Sequence, residues 1–434
     1  MNNFQTILVA VFMAFFVFAV LIFSGLINIG GSSDTSNGLV GKVVIWGTFS
    51  NPEIHEVFDK ISETNQELVI SYVTKKEATY QKELVEAFAN GTGPDLFIIS
   101  PDMIQNNRNF IYAIPYASYP EKSFRSSFID GADIYLTTEG TLGFPLVVDP
   151  MVLYYNKDLL ANEGIATPPA YWNELFELNG RLTKRTDDGT ITQSMIGLGR
   201  FENVANAKDI LATLLLQSGN QIVSRSDTRY QSVLSATSAS GAQSVAEQIL
   251  EFYVEFSNPS LSSYAWNRSL PNSLDMFTGG REAFYLGHAS ELFKIQSINP
   301  NLSFDVTDIL QTKGLATKRT YADIYALAIN KKSPNMGIAF GVATLLGSDE
   351  AAKNFATTVS LPPALRSLLS SRPADPYLFT FFNASLISRA WPDPDTIASD
   401  AIFDSMIQNI ISNRLSMSAA VAKASSELDL INKR

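Results

Sequence analysis

The sequence contains no cysteine, and it has only two histidines, His55 and His288. The lack of cysteine excludes disulfides, cysteine-bound zinc, iron–sulfur clusters, thiol nucleophiles and lipid anchors attached through a thioether. Two histidines argue against a histidine-rich metal site or catalytic cluster. We therefore expect no metal and no cofactor, and we assign no catalytic residue.

Charge is also scarce in this chain. Asp, Glu, Lys and Arg make up 17% of the 434 residues, with 32 basic and 43 acidic side chains and a net charge of -11. Nucleic-acid binding needs clustered Lys and Arg that neutralise phosphates, so we expect no nucleic-acid partner. Apolar residues reach 46% of the chain, which is enough for a sizeable core. The length allows roughly two or three domains.

A long hydrophobic run lies close to the N-terminus. Residues 7–23 read ILVAVFMAFFVFAVLIF, with no polar side chain among them. Such a run can cross a hydrocarbon core of about 30 Å, and the leader lacks the Lys and Arg of a cleaved signal peptide. We predict that residues 4–29 form an uncleaved transmembrane anchor and that residues 30–41, rich in Gly and Ser, form a flexible tether. Cleavage near Gly31 is the alternative.

Strands and helices alternate after the tether. Hydrophobic patterning predicts strands at residues 42–46, 68–73 and 95–99, with amphipathic helices at 52–63 and 80–89 between them. This order is typical of a parallel sheet with helices on its faces, where ligands bind outside the carboxyl ends of the strands. The sequence has no phosphate-binding loop, no dinucleotide-binding glycine motif and no zinc-protease or serine-hydrolase motif.

An ordered set of short motifs covers nearly all of the chain after the tether. The motifs are residues 42–47 (KVVIWG), 91–96 (GTGPDL), 143–145 (GFP), 153–159 (LYYNKDL), 168–175 (PPAYWNEL), 277–284 (FTGGREAF), 304–306 (FDV) and 328–333 (AINKKS). In this order the sequence resembles the extracellular solute-binding proteins of ABC importers, in the sugar-binding group that includes maltose-binding protein.

The resemblance implies an α/β chain with the two-lobed, type II periplasmic-binding-protein-like fold. Each lobe would be a sheet flanked by helices, and one transmembrane helix would precede them. By analogy with the family, residues 42–149 and 304–349 would form lobe one, and residues 150–303 and 350–434 would form lobe two. Segments that cross between such lobes act as a hinge and permit closure around a ligand.

The resemblance also places candidate solute-binding residues along the cleft. A sugar offers hydroxyl groups and flat C–H faces, so its site needs aromatic rings and polar groups that pair with hydroxyls. The candidates are Trp46, Ser100, Asp102, Asp149, Phe201, Asn203, Trp266, His288, Tyr321, Asp323 and Trp391. Structural alternatives stay open: Trp46 could pack in the core, and Asp102 could cap the next helix. His288 stands where the family often has a stacking aromatic residue.

The function implied by the resemblance is solute capture without catalysis. A membrane-tethered monomer would bind a sugar or oligosaccharide and deliver it to ABC transporter permease subunits at the extracytoplasmic face of the plasma membrane. Its partners would be that small-molecule solute, the permease and, through the N-terminal helix, the membrane. Two alternatives remain: a membrane-anchored carbohydrate-active enzyme with Asp102 and Asp149 as paired carboxylates, or a sensor subunit on the same fold.

Overall fold

The computed structural model describes most of the chain after the predicted anchor. The described residues are 39–65, 67–226, 229–236 and 243–432. The anchor predicted at residues 4–29 and the part of the tether at 30–38 lie outside them. Within the described ranges, no helix is both long enough and apolar enough to cross a bilayer.

One large sheet organises the described part of the chain. Its strands, together with a separate hairpin of β7 and β8, are β1 (Gly41–Gly47), β2 (Leu68–Thr74), β3 (Leu96–Ile99), β4 (Phe144–Asn156), β5 (Lys184–Arg185), β6 (Ile191–Ile196), β7 (Val223–Ser226), β8 (Arg229–Ser232), β9 (Glu282–His288), β10 (Phe304–Thr307), β11 (Thr320–Ile329) and β12 (Ser388–Arg389). The strand order is β2-β1-β3-β11-β4-β9-β6-β5, with β10 paired to β4 and β12 paired to β11.

Helices connect the strands and cover the sheet. They are α1 (Ile54–Thr64), α2 (Glu77–Ala89), α3 (Ile104–Asn107), α4 (Glu121–Ser127), α5 (Lys157–Asn162), α6 (Leu175–Leu182), α7 (Ala207–Gln217), α8 (Val245–Glu255), α9 (Ser273–Thr278), α10 (Glu291–Ile298), α11 (Met336–Leu346), α12 (Asp349–Val359), α13 (Arg366–Leu369), α14 (Pro376–Leu386), α15 (Thr396–Ile411) and α16 (Met417–Ile431). Short 3₁₀ segments occur at Pro101–Met103, Asp130–Tyr135 and Trp172–Glu174.

The first three strands form the parallel sheet that the sequence predicts. β1 pairs in parallel with both β2 and β3, and α1 and α2 connect these strands. Helix α1 buries Ile54, Val57, Phe58 and Ile61. Because these residues recur at helical spacing, they share one face, and that face packs on the sheet. The alternation predicted for residues 42–99 is confirmed.

Two long antiparallel strands, β4 and β11, continue through the middle of the sheet. β4 pairs with β11 from Phe144 to Pro150 and with β9 from Met151 to Tyr155. On its other edge, β11 pairs with β3 from Ala326 to Ile329. The two strands therefore join the halves of the sheet, and their middle residues lie at the junction.

The apolar core is divided into two clusters, and the first also includes side chains of β4, α9, β9 and α10 beyond residue 149. The first cluster draws side chains from β1 to β3, α1, α2 and α11, whereas the second draws them from β6, α6 to α8, α15 and α16. Helices α12 to α14 add Phe355, Leu369 and Phe381 to the first cluster. The structure confirms a two-lobed α/β fold, and we refer to the halves around these clusters as the first and second lobes.

Candidate functional site

Five side chains meet where β4 and β11 pass between the lobes. Asp149 on β4 lies opposite Asp323 on β11. His288, which ends β9, donates from Nδ1 to the backbone oxygen of Asp149 at 3.0 Å, and its Nε2 lies 3.2 Å from Oδ2 of Asp209 in the first turn of α7. The Tyr321 hydroxyl donates to Oδ1 of Asp323 at 2.9 Å. We call Asp149, Asp209, His288, Tyr321 and Asp323 the central cluster.

The imidazole of His288 is held in its charged form. Both ring nitrogens face oxygen acceptors, so both must carry a hydrogen to satisfy them. Burial by itself lowers the pKa of His288. The hydrogen bond to Asp209 and the charge of Asp149 raise it by more than burial lowers it, so the pKa lies well above its ordinary value. The cluster therefore contains one cation among three carboxyl groups.

Two carboxyl groups of the cluster, those of Asp149 and Asp323, have pKa values above the ordinary range. Burial raises the pKa of Asp149 even though the backbone N–H of Ser290 donates to its Oδ1 at 2.9 Å. Burial also raises the pKa of Asp323 to about 7, with the charge of His288 opposing and those of Asp209 and Asp102 adding to the shift. Many protein atoms surround Asp323, but part of its surface remains exposed to solvent.

Neighbouring residues fix the position of His288. The carboxylate of Glu291 accepts hydrogen bonds from the backbone N–H of His288 at 3.0 Å and from the amide of Asn206 at 2.8 Å. A Cβ on Gly287 would lie 2.6 Å from Glu291 Oε2, so this approach requires glycine. Asn206 has a φ of 57° and precedes α7, whose first turn then brings Asp209 beside His288.

A second polar group adjoins the cluster on the side of the first lobe. The Ser100 hydroxyl donates to Asp102 within the 3₁₀ segment Pro101–Met103, so Asp102 is not the cap of α3. Burial raises the pKa of Asp102, and the charge of Asp393 raises it further. Asp393 in turn binds Lys208 of the second lobe, with Nζ and Oδ2 2.9 Å apart. Charges from both lobes therefore act on one another here.

Hydrogen bonds join the two lobes directly beside this polar group. Gln105, on α3 of the first lobe, donates from Nε2 to the backbone oxygen of Pro392 at 2.7 Å and to Oδ1 of Asn432 at 3.1 Å. Asn106 donates from Nδ2 to the backbone oxygen of Pro394 at 2.7 Å. These contacts tie the end of β3 to the C-terminal part of the second lobe, so the lobes meet in this structure.

Two predicted site residues, Trp266 and Asn203, bond to each other inside the second lobe. Trp266 is fully buried, and its Nε1 donates to Oδ1 of Asn203 at 3.0 Å. The amide nitrogen of Asn203 donates to the backbone oxygens of Asn267 and Leu270, each at 2.9 Å. Since these partners occupy the polar atoms of both side chains, the pair serves the packing of the lobe.

The other predicted aromatic residues are spread around the lobes. Trp46 is half-buried at the end of β1, and Lys75 covers one face of its ring with Nζ 3.7 Å from the centroid. Phe201 is half-buried against the second cluster of the core. Trp391 is buried in that cluster beside Phe403, with their ring centroids 6.4 Å apart. The structure does not bring these three rings into the central cluster.

Sequence reasoning missed several charged and polar residues at the junction. Asp209 and Lys208 lie in the first turn of α7, to which the sequence analysis assigned no role. Asp393 and Gln105 stand beside predicted residues yet were not singled out. Ligands of α/β proteins bind at the carboxyl edge of the sheet, so a helix that begins there, such as α7, could have indicated these residues. Across the described ranges, no group of His, Asp and Glu is arranged to hold a metal ion.

Comparison with known sequences gives one family match and short relatives. Residues 50–353 match the family described as bacterial extracellular solute-binding protein. Binding proteins of Brucella abortus (strain 2308) and Brucella suis biovar 1 (strain 1330) are each 28% identical over 131 residues, which is 29% of this chain. Those matches span only 31% of the relatives' own length.

Comparison with solved structures covers nearly the whole chain. A cyclo/maltodextrin-binding protein complexed with maltotetraose has a TM-score of 0.72 and 15% identity over 91% of this chain and 98% of its own. An ABC substrate-binding protein from Listeria monocytogenes in complex with cycloalternan has a TM-score of 0.66 and 16% identity over 90% of this chain and 98% of its own. At such low identity these likenesses establish the shared fold.

Proposed function

Because the chain belongs to the family of bacterial extracellular solute-binding proteins, we propose that it binds a carbohydrate between its lobes and delivers it to an ABC transporter permease. The central cluster carries this proposal, since it joins both crossing strands to α7 and β9 at the lobe junction. Two proteins of the same fold bind maltotetraose and cycloalternan. The family consists of binding proteins, so the chain is not assigned an enzymatic activity.

The chemistry of the cluster suits a ligand that donates many hydrogen bonds. Asp149, Asp209 and Asp323 offer carboxyl oxygens, whereas His288 and Tyr321 supply few donors, already used within the cluster. A carboxyl group enclosed by protein needs donors or protonation, because leaving it charged and unpaired is unfavourable. Sugar hydroxyls supply such donors, and Asp323 is accessible to them.

We assign different roles to the predicted site residues. Asp149, His288, Tyr321 and Asp323, with the newly identified Asp209, bind or orient the solute. Ser100 and Asp102 complete the site from the first lobe, and Trp46 and Phe201 flank it. Residues with internal partners or full burial build the second lobe; they are Asn203, Trp266 and Trp391.

The lobe boundaries are part of the proposal. The division at residue 149 lies where the pairing of β4 changes from β11 to β9, and the division at residue 304 is taken from the family resemblance. Because α12 to α14 pack on the first cluster of the core, we place residues 350–386 with 304–349 in the first lobe. Residues 150–303 and 387–434 then form the second lobe, whose last helices pack on the second cluster.

We further propose that the chain acts as a monomer at the extracytoplasmic face of the plasma membrane. Residues 4–29 serve as its anchor and 30–41 as its tether, which raises the effective concentration of the protein near a permease. Membrane fractionation tests this part. The anchored protein resists extraction by high salt and is released by detergent, whereas recovery in the soluble fraction with a new N-terminus near Gly31 contradicts the anchor.

A thermal-shift panel on the full chain tests carbohydrate binding. The panel compares linear and cyclic oligosaccharides, monosaccharides, polyols and peptides. A solute at a hundred times its Kd stabilises the protein by about 2.7 kcal/mol, so a cleft ligand raises Tm. Asp323→Ala is expected to remove the shift, and the exposed Asp59→Ala is the matched control. Stabilisation by peptides and by no carbohydrate would overturn the assignment.

A further inference from the structure

A pocket of about 520 Å³ opens between α6, α7, α8 and the segment that follows β10, at the end of α7 that lies away from Asp209. Its walls are aromatic and aliphatic, from Trp172, Phe176, Leu214, Ile249, Phe252 and Leu315. This volume lies in the range of about 300–1,000 Å³ that is usual for small-molecule sites. The pocket shares no lining residue with the central cluster, so it is separate from the proposed solute site.

The inner wall of this pocket is held in place by buried hydrogen bonds. Trp172 donates from Nε1 to Oε1 of Gln217 at 2.8 Å. Gln217 donates from Nε2 to the backbone oxygens of Leu310 and Arg319, at 2.8 and 2.9 Å. The ring of Phe252 packs edge-on against Trp172, with the centroids 6.0 Å apart. The pocket is therefore formed before any ligand arrives, which lowers the ordering penalty of binding.

The mouth of the pocket exposes apolar surface to solvent. Phe176 is 41% exposed and Leu315 is 48% exposed, although both belong to its lining. Covering such side chains is favourable at roughly 25 cal/mol per Å² of apolar surface. A ligand with a hydrocarbon body would gain this free energy and would meet aromatic rings on two sides.

One charge lies among the lining residues, and it is positive. Lys313 is exposed, and the other polar lining residues, such as Thr312 and Gln248, are neutral. The described lining includes no Asp or Glu, and Lys313 forms no ion pair with the described carboxylates. A local positive charge is notable in a chain whose net charge is -11. The rim thus complements a single anionic group.

We propose that this pocket binds a small amphipathic carboxylate, a molecule with a hydrocarbon body and one anionic head. The body packs between Phe176, Phe252 and Leu315, and the carboxylate lies near the Nζ of Lys313. The proposal is independent of carbohydrate binding, because it uses neither the central cluster nor a sugar. A probe set of 4-phenylbutyrate, 4-phenylbutanol and 4-phenylbutylamine separates the apolar contribution from the charge.

Titration calorimetry of the full chain in lipid nanodiscs, with empty nanodiscs as the blank, gives the test. We expect saturable one-to-one binding of 4-phenylbutyrate, weaker binding of the alcohol and weakest binding of the amine. Lys313→Gln lowers the affinity for the carboxylate about threefold, which is about 0.65 kcal/mol and typical of an exposed ion pair, and leaves the alcohol unchanged. Phe176→Ser weakens both about tenfold. The exposed Lys122→Gln is the control and changes neither.

Several results would overturn the proposal. Absence of saturable binding to the wild-type chain does so directly. Equal affinity for the alcohol and the carboxylate, with Lys313→Gln without effect, shows that the charge has no part in recognition. If light scattering instead shows a dimer that Phe176→Ser dissociates, the pocket is covered by a second copy of the chain and the small-molecule assignment is wrong. Circular dichroism of Phe176→Ser verifies that the variant is folded.

Discussion

The central cluster and the pair of Trp266 and Asn203 both combine polar and aromatic side chains, yet they differ in how their polar atoms are satisfied. In the pair, Trp266 donates to Asn203, and Asn203 donates to two backbone oxygens of the same lobe. In the cluster, residues from β4, α7, β9 and β11 meet, and carboxyl groups outnumber the cation. Polar atoms that are all hydrogen-bonded within one lobe indicate a structural role. An excess of hydrogen-bond acceptors at the lobe junction indicates a ligand site.

The largest expected effect is on the stability provided by the pair. Trp266→Ala should lower the free energy of unfolding by about 3–5 kcal/mol, because it leaves a cavity around a fully buried ring. Urea denaturation followed by circular dichroism measures this change. Trp266→Phe is the control for the N–H, since it retains most of the ring volume. A Trp266→Ala variant that is as stable as wild type but cannot bind solute would reverse our distinction.

A smaller effect, on solute affinity, is expected at the cluster. Asp209→Asn weakens the acceptor of His288 Nε2, 3.2 Å away, and removes a carboxylate from the site. A hydrogen bond to a charged group contributes about 1.5–3 kcal/mol, so we expect a loss of roughly 10- to 100-fold in carbohydrate affinity. Titration calorimetry measures the loss, with Asp59→Asn as the exposed control. Unchanged affinity in Asp209→Asn would remove this residue from the site.

Contacts between the lobes should have a more modest effect. Replacing both Gln105 and Asn106 by Ala removes the bonds to Pro392 and Pro394. Neutral hydrogen bonds contribute about 0.5–1.5 kcal/mol each, and these two are only partly buried. At the low end of that range, solute dissociation should accelerate by several-fold. Stopped-flow fluorescence measures the dissociation rate, and small-angle X-ray scattering should show a larger radius of gyration for the variant. Equal rates in wild type and variant would show that these bonds do not hold the lobes together.

A further effect is a pH dependence of stability that belongs to Asp323, and solvent at this half-buried carboxyl reduces its size. The unfolded chain releases this proton near pH 3.8, whereas the folded protein releases it near pH 7. Between these values the folded state binds more protons, so stability falls as pH rises, and it levels off above about pH 7. Asp102, Asp149, Asp209 and His288 act on the same group.

The difference between wild type and Asp323→Asn isolates this contribution. Because the variant lacks the titrating carboxyl, its stability relative to wild type should rise between about pH 4 and pH 7 and then remain constant. Chemical denaturation at several pH values gives both free energies. A difference that does not vary with pH would show that Asp323 has an ordinary pKa in the folded protein.

Local sequence patterns were sufficient to predict much of the fold. The strands and helices of residues 42–99 follow from hydrophobic spacing, and the motif at 153–159 marks the end of β4 and the start of α5. The resemblance then supplied the two-lobed architecture, which no local pattern contains. The anchor prediction for residues 4–29 rests on hydropathy alone.

The site was predicted less completely, since it depends on contacts between distant segments. Asp149 and Asp323 were both named from the family resemblance, but their direct opposition depends on the register between β4 and β11. Asp209 joins them only because Asn206 and Glu291 set the start of α7 beside β9. The sequence also could not show that Trp266, predicted to bind solute, donates a buried hydrogen bond to Asn203 instead.

Calorimetric titration of the most stabilising carbohydrate against wild type, Asp323→Ala and Asn203→Ala tests the central claim most directly. If the solute is bound by the central cluster, Asp323→Ala weakens binding at least tenfold, or about 1.4 kcal/mol. Asn203→Ala then lowers stability but leaves the affinity of the folded molecules within about twofold. Tight binding by Asp323→Ala together with loss of binding in folded Asn203→Ala would contradict the account.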